Sequence, residues 1–128
     1  MSPQRVCLLR GDGIGVDLLE DAERALECLA PDLSVQVAPV GLGAFQVLGD
    51  ALPARTLEAV RGADACLLVA VGSPSKPTPG YRSPVVGLRR ALDLFANVRP
   101  VRSLPTATGE PVDLVVVREN TEGLYSGR

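Results

Sequence analysis

The chain begins with a short apolar run, a glycine-rich turn and an amphipathic helix, in that order. Arg5 to Leu9 is apolar and of strand length, and the glycines within residues 11–15 enforce a turn directly after it. From Val16 the apolar residues recur at helical spacing until Pro31 ends the helix. A strand that leads through a tight turn into a helix is the repeating unit of α/β folds with parallel sheets.

The same alternation of strand and helix patterns continues along the chain. Predicted strands cover residues 5–9, 33–37, 65–71 and 112–117, with another beginning at Val98, and predicted helices cover residues 16–29, 41–49, 53–59 and 83–95. The runs at 65–71 and 112–117 are apolar on both faces, which is typical of central strands of a parallel sheet. We predict an α/β fold with a mainly parallel sheet and flanking helices.

Covering helices are scarce after residue 95. Strands that are apolar on both faces need helices above and below them, and residues 96–128 supply few. We therefore interpret the sequence as the N-terminal part of a longer protein.

Composition excludes several classes of function. A net charge of -2 gives no general attraction to nucleic acid or to an anionic membrane, and 3% aromatic residues leave no stacking platform for single-stranded nucleic acid. No apolar run approaches the ~20 residues of a membrane span, and the first residues lack signal-peptide character, so we expect a cytoplasmic protein. The sequence contains no histidine, which excludes serine–histidine and cysteine–histidine catalysis within this chain.

The three cysteines do not form a recognisable site. Cys7, Cys28 and Cys66 are widely spaced and lie in apolar contexts, and no pair has the spacing of a metal or redox motif. We expect all three to be small buried residues in a reducing compartment.

The glycine-rich turn admits two interpretations. Gly11-Asp12-Gly13-Ile14-Gly15 lies between a strand and a helix, as a dinucleotide-binding fingerprint does, but the sixth position is Val16 rather than glycine or alanine. No acidic residue closes the second strand to bind a ribose hydroxyl. On these residues alone, a tight strand-to-helix turn is favoured over a nucleotide site.

Three arginines follow apolar segments and suggest a carboxylate pocket. A guanidinium group matches a carboxylate in charge and shape, and Arg89, Arg99 and Arg118 could each supply one. Arg118 closes a predicted parallel strand at the edge where ligands of α/β sheets bind. Arg90 points about 100° away from Arg89 on the helix and is expected to be solvated. Spacing alone is equally compatible with solvated surface arginines.

Acidic and phenolic groups follow Arg118. The phenol of Tyr125, beside cationic side chains, could act as an acid, although a lone tyrosine is more often a packing residue. Glu119 and Glu122 could form a carboxylate pair, but solvated loop acids are the favoured interpretation.

Four motifs taken in order resemble one known family. They are Gly11–Gly15, then Leu88-Arg89-Arg90, then Leu94–Pro100 (LFANVRP), then Val117–Gly127 (VRENTEGLYSG). With these motifs the sequence resembles the isocitrate/isopropylmalate dehydrogenases, the metal-dependent β-decarboxylating dehydrogenases, over its whole length. The resemblance implies an isopropylmalate-dehydrogenase-like fold, in which residues 1–100 are the first part of the large α/β domain. Residues 101–128 would begin a second domain for substrate binding and dimerisation.

The resemblance implies roles for several residues. The reaction would be the oxidation of a 3-substituted malate by NAD or NADP, followed by loss of the 3-carboxyl group as carbon dioxide. Arg89, Arg99 and Arg118 match the family's arginines that bind the malate carboxylates. Tyr125 matches the tyrosine that helps to protonate the enolate carbon, and Ile14 lies where the family borders its cofactor.

The resemblance also implies partners that these residues do not supply. The family uses Mg²⁺ or Mn²⁺, whose aspartate ligands lie beyond the matched region. The catalytic lysine, donated by a partner subunit, and the adenine-binding loop also lie beyond it. A homodimer acting on a small di- or tricarboxylate is therefore expected for the full-length protein, and residues 1–128 alone are expected to be inactive.

The substrate is left open between three members of the family. Ser83, Val85 and Val86 occupy the segment that recognises the variable group of the substrate, and the two valines favour the alkyl group of 3-isopropylmalate. Ser83, together with Arg82, instead fits isocitrate, and homoisocitrate remains an alternative. Two other classes remain open: a non-catalytic regulatory subunit of such an enzyme, and a plain nucleotide-binding module. Neither class needs all three arginines and Tyr125.

Overall fold

The computed structural model describes residues 4–105, 108–123 and 126 of the chain. It divides the protein into two compact units, residues 1–87 and residues 88–128. The division falls within a helix, ahead of the domain boundary that the sequence predicts at residue 100. That predicted boundary concerns a longer chain and stays a prediction.

The first unit alternates strands and helices. Its elements are β1 (Arg5–Leu9), α1 (Ile14–Asp17), α2 (Leu19–Leu29), β2 (Ser34–Ala38), α3 (Leu42–Leu48), α4 (Ala54–Arg61), β3 (Ala65–Leu68) and the start of α5 (Pro84–Ala91). Helical structure begins at Ile14, two residues before the predicted start, and Leu18 separates α1 from α2. The predicted mixed α/β architecture with a parallel sheet is confirmed.

The three strands of the first unit form a parallel sheet in the order β2-β1-β3. Cys7 of β1 pairs with Gln36 of β2 and with Cys66 of β3, so β1 is the central strand. The largest fully buried side chains are those of Leu8, Leu9, Val40, Thr56 and Cys7. The hydroxyl of Thr56 donates to the carbonyl of Pro39 at 2.8 Å, which compensates for burying it.

Two expectations about this sheet are wrong. The apolar run from Ala65 was predicted to be a central strand, but β3 ends at Leu68 and has only β1 as a neighbour among the described residues. Its first three residues are exposed. Cys28 and Cys66 are likewise exposed, and only Cys7 is buried. An apolar run specifies a strand, but it does not specify where in the sheet that strand lies.

The second unit contains the end of α5 and an antiparallel pair of strands. β4 (Ala96–Arg102) pairs with β5 (Asp113–Glu119), with Arg99 opposite Val116 and Asn97 opposite Arg118. We refer to this pair as the ribbon. The prediction that the strand ending at Arg118 is parallel and buried on both faces is wrong, because β5 pairs antiparallel with β4 and every residue of β5 is exposed.

Helix α5 ends earlier than its apolar spacing predicts. The sequence predicts a helix to Phe95, whereas α5 ends at Ala91. Asp93 has a φ of 53°, in the left-handed region, and Leu94 N–H donates to the carbonyl of Arg89 at 2.8 Å. This is the hydrogen-bond pattern of a Schellman cap, which terminates a helix wherever the residue after the C-cap turns left-handed.

Candidate functional site

One part of the candidate site lies at the carboxyl edge of the parallel sheet. Because β1, β2 and β3 are parallel, the loops that follow them leave the sheet at the same edge. The turn after β1 holds Gly11 at a φ of 72°, and a Cβ there would overlap the carbonyl of Ala70 in the loop after β3. Only glycine allows the two loops to approach so closely.

Asp12, in this turn, binds both neighbouring loops. Its Oδ2 accepts a hydrogen bond from the N–H of Leu42, and its Oδ1 accepts one from the N–H of Gly72, each at 2.6 Å. Its own N–H donates to the carbonyl of Ala70 at 3.1 Å. This role of Asp12 was not predicted from the sequence. A short acid between two glycines at the end of a strand is the signal that could have indicated it.

Ile14 lies at the start of α1, and its side chain is 62% exposed. The preceding Gly13 has a φ of 55°, and nothing within 4 Å would meet a Cβ there. An exposed apolar side chain next to open backbone fits the predicted border of a cofactor. That role stays a prediction.

Open clefts flank this edge of the sheet. One, of about 350 Å³, is lined by Asp12 together with Arg10 and Arg55. The other, of about 490 Å³, lies between α3 and the loop after β3 and is lined by Phe45 and Lys76. Both clefts combine basic side chains with apolar walls, and the first also contains the Asp12 carboxylate.

Residues 69–83 contain no helix or strand and carry Tyr81. The rings of Tyr81 and Phe45 meet edge to face, with their centroids 5.5 Å apart. The Tyr81 hydroxyl is buried and has no hydrogen-bond partner among the described residues. Burial raises the pKa of this phenol above its usual value, and the negative charge of Asp12 raises it further.

The residues predicted to recognise the substrate's variable group follow this loop. The carbonyl of Ser83 accepts the N–H of Gly87 at 3.0 Å, so Ser83 immediately precedes the first turn of α5. Val85 is half-buried in this helix, and Val86 is 41% exposed. Both valines are thus on a regular helix, where backbone geometry fixes their direction.

The second unit brings two of the predicted arginines together. Arg118 is opposite Asn97, two positions from Arg99 on β4, so Arg99 and Arg118 are diagonal neighbours on one face of the ribbon. The Nε of Arg99 donates to the Oδ1 of Asn97 at 2.8 Å. Two exposed guanidinium groups on one sheet face can hold two carboxylates of one small molecule.

Arg102 lies on the opposite face of the ribbon. It makes an ion pair of 2.8 Å with Asp113, the residue paired with it in register. Both side chains are largely exposed, and such pairs contribute about 0–1 kcal/mol. The two faces therefore differ: Arg102 lies beside a carboxylate on one, and Arg99 and Arg118 lie beside the amide of Asn97 on the other.

Arg89 and Arg90 differ in exposure, as their adjacent positions on the helix predict. Arg89 is half-buried near the end of α5, and Arg90 is exposed. The guanidinium of Arg90 also donates a hydrogen bond to the carbonyl of Ser126 at 2.6 Å, which the sequence did not predict. Tyr125, the predicted proton donor, lies outside the described residues.

Glu119 closes β5 and organises the turn after it. Its carboxylate accepts hydrogen bonds from the hydroxyl and N–H of Thr121 and from the N–H of Glu122. These hydrogen bonds, with that from the Thr121 hydroxyl strongest, hold the pKa of Glu119 below its usual value. The carboxylate therefore serves the turn rather than forming a pair with Glu122.

The described residues contain no cluster of three or more acidic or thiol side chains that could hold a metal ion. Within the same residues, no helix is long and apolar enough to cross a bilayer.

Comparison with known proteins decides the family. Residues 5–128 match the model of a family described as isocitrate/isopropylmalate dehydrogenase. The chain belongs to the isocitrate/isopropylmalate dehydrogenase family. It is 44% identical to an isocitrate/homoisocitrate dehydrogenase of Thermus thermophilus, over 94% of this chain and 36% of that protein. It is 42% identical to a 3-isopropylmalate dehydrogenase of a Synechococcus species, over 100% of this chain and 41% of that protein.

A solved structure of the same family has the same fold. The isocitrate dehydrogenase of Methylococcus capsulatus superposes with a TM-score of 0.84 at 36% identity, covering 98% of this chain and 37% of that one. The chain thus spans well under half the length of the relatives that it matches. The chain corresponds to one segment of these relatives.

Proposed function

We propose that this segment contributes the substrate arginines and part of the cofactor-binding edge of a β-decarboxylating dehydrogenase that uses NAD or NADP. The observation that carries the proposal is the placement of Arg99 and Arg118 on one face of the ribbon, within the motifs that resemble the family. A solvated surface would not require two like charges to be diagonal neighbours, whereas a dicarboxylate is a ligand that would stabilise them.

The chemistry assigns separate tasks to these residues. Oxidation of the C2 hydroxyl of a 3-substituted malate produces a ketone, which loses the 3-carboxyl group as carbon dioxide and leaves an enolate. Bound NAD or NADP would supply the hydride acceptor. Arg89, Arg99 and Arg118 hold the carboxylates so that the C2 hydrogen and the departing carboxyl group are correctly oriented. Tyr125 supplies the proton that the enolate carbon takes up.

The substrate that we favour is 3-isopropylmalate. Val85 and Val86 offer no hydrogen-bond donor to a third carboxylate, and leaving such a carboxylate unpaired against them would be unfavourable. The curated 3-isopropylmalate dehydrogenases at about 40% identity support this choice. The Thermus relative, at 44%, supports isocitrate or homoisocitrate, with Ser83 and Arg82 as donors.

The test is a ratio of specificity constants in the full-length protein that carries this segment. The value of kcat/KM should be higher for 3-isopropylmalate than for isocitrate or homoisocitrate, with a divalent metal and either cofactor present. The variant Val86→Arg should shift the ratio towards the tricarboxylates by tenfold or more, as expected for a charge-assisted hydrogen bond of about 1.5–3 kcal/mol. A parent enzyme that already prefers isocitrate would replace the apolar assignment with Ser83 and Arg82. Absence of turnover with all three substrates would favour a regulatory subunit.

A further inference from the structure

Asp12 joins the three loops at the carboxyl edge of the parallel sheet. Its backbone belongs to the turn after β1, its Oδ2 binds the N–H of Leu42 after β2, and its Oδ1 binds the N–H of Gly72 after β3. Both hydrogen bonds measure 2.6 Å, shorter than the usual N–H···O distance of about 2.9 Å. The two donors are 30 and 60 residues away in sequence. No local turn would bring these groups together.

Two glycines leave space for this carboxylate. A Cβ at Gly41 would overlap the Oδ2 of Asp12, and one at Gly72 would lie 3.1 Å from the Oδ1. Gly41 has a φ of 95°, which ordinary side chains rarely adopt. The space around the carboxylate is therefore fitted to it, and a longer or differently charged side chain would displace at least one loop.

The loops that Asp12 connects are those that carry the candidate site residues of the first unit. Ile14, at the predicted cofactor border, is two residues beyond Asp12. Gly72 opens the stretch that ends at Ser83, directly before α5. A change in the Asp12 contacts would alter the spacing between the cofactor border and this stretch, even though Asp12 itself need not touch either ligand.

We propose that Asp12 is a positioning residue, which sets the spacing between the turn at Gly13–Ile14 and the loop from Gly72 and thereby the affinity for the nicotinamide cofactor. The inference rests on the proposed dehydrogenase function. Asp12 acts through the N–H groups of Leu42 and Gly72, so its effect should appear in cofactor binding rather than only in the amount of folded protein.

The main experiment compares Asp12→Asn with Asp50→Asn in the full-length protein that carries this segment. Asparagine keeps the size of the side chain, but its amide nitrogen cannot accept the second hydrogen bond, so one loop is released. Asp50 is a matched control, because its Oδ1 accepts from the N–H of Leu52, only two residues away in its own turn. We expect Asp12→Asn to raise the KM for the cofactor by about tenfold or more, and Asp50→Asn to leave it within about twofold.

A second variant covers the case in which Asp12→Asn does not fold. Gly72→Ala keeps the carboxylate but introduces a methyl group 3.1 Å from its Oδ1, so it should displace the loop slightly and raise the cofactor KM by a smaller factor. In residues 1–128, amide hydrogen exchange of Leu42 and Gly72 should be faster in Asp12→Asn than in Asp50→Asn.

The outcomes separate this inference from the proposed function. A parent enzyme that is active, with a cofactor KM unchanged in both Asp12→Asn and Gly72→Ala, would overturn the positioning role and leave the proposed function intact. A lower yield of folded Asp12→Asn enzyme, with kcat and KM per folded molecule unchanged, would show that Asp12 serves stability alone. A parent without turnover of any 3-substituted malate would overturn both. Unchanged amide exchange would show that the carboxylate does not hold the loops.

Discussion

The arginines of the ribbon differ in the side chains that lie beside them. Arg102 is paired with Asp113 on one face, and Arg99 and Arg118 lie with Asn97 on the other. Arg99 and Arg118 belong to the motifs that resemble the family, and Arg102 lies outside those motifs. The proposed function therefore assigns different consequences to arginines that look alike in the sequence.

Replacing Arg118 should reduce activity far more than replacing Arg102. In the full-length protein, Arg118→Gln should lower kcat/KM for the 3-substituted malate by roughly 10- to 150-fold, because a charge-assisted hydrogen bond contributes about 1.5–3 kcal/mol. Arg102→Gln removes an exposed ion pair on the other face and should leave kcat/KM within about twofold. Steady-state kinetics of both variants provides the measurement, and equal losses would contradict the assignment of the two faces.

Removing the hydroxyl of Tyr81 should stabilise the chain. A buried polar group without a partner costs roughly 1–3 kcal/mol, and Tyr81→Phe removes it while keeping the ring against Phe45. Urea unfolding of residues 1–128 should show a gain of about 1 kcal/mol. Phe45→Leu, which removes the ring contact, should instead destabilise.

The difference in stability between the parent chain and Tyr81→Phe should depend on pH. The folded chain raises the pKa of Tyr81, so the folded state binds the phenolic proton more tightly than the unfolded state. The stability linked to that proton is complete below the usual tyrosine pKa of about 10 and is lost as the pH rises through the folded value. Above about pH 10, the free energy of unfolding should therefore fall more in the parent chain than in Tyr81→Phe. A constant difference between the two chains would contradict the raised pKa.

At the scale of elements, helix ends are set by local backbone geometry, which the spacing of apolar residues does not predict. The spacing of apolar residues predicted α5 to continue to Phe95, but Asp93 turns left-handed and ends the helix at Ala91. The spacing of apolar residues predicts which face of a helix is buried, but it does not predict the dihedral angles of a single residue. The same holds for the break at Leu18, which lies inside a continuous helical pattern.

Glycine at position 93 should strengthen the end of α5. Asp93 holds a φ of 53°, which costs most side chains about 1–2 kcal/mol, with aspartate among the more tolerant, whereas glycine adopts it freely. Asp93→Gly should therefore raise the free energy of unfolding by up to about 1 kcal/mol, measured by urea denaturation of residues 1–128. Asp93→Val, with a β-branched side chain, should lower it. A Val variant as stable as the parent would contradict the left-handed cap.

Strand existence was predictable, whereas strand neighbours were not. The runs at Arg5–Leu9 and Val112–Val117 were each predicted as strands from composition, and both are strands. Whether a neighbour is parallel or antiparallel depends on how distant segments meet, and no local pattern records it. The run ending at Arg118 was therefore assigned to a parallel sheet and lies instead in the antiparallel ribbon.

Some residues of the candidate site could also be selected from the sequence, and others could not. The arginines could be selected as candidates because the chemistry of carboxylate binding limits the residue types that can serve, and Ile14 was selected only through the resemblance to the family. Asp12 could not be assigned its role, because its two partners, Leu42 and Gly72, are defined only by the folded backbone. Sequence thus selected candidates for ligand binding, and the structure revealed the side chain that contacts all three loops.

Considered as a whole molecule, the chain exposes apolar surface that should promote association. Val98 and Val117 are paired in register on one face of the ribbon, 59% and 66% exposed, and Val101 and Val116 are exposed on the other. Residues 1–128 should form concentration-dependent oligomers in sedimentation velocity. The double variant Val98→Thr/Val117→Thr keeps β-branched side chains and should shift the distribution towards monomer. A parent chain that stays monomeric at high concentration would contradict this expectation.

The strand order β2-β1-β3 has a consequence during synthesis. The central strand, ending at Leu9, is made first, yet its second neighbour is complete only at Leu68. At translation rates of about 5–20 residues per second, β1 waits roughly 3–12 s before both of its edges can be paired. During that interval its apolar residues, including Leu8 and Leu9, are available to other nascent chains. Pauses in translation between Leu9 and Leu68 should therefore lower the yield of folded protein more than equal pauses placed later.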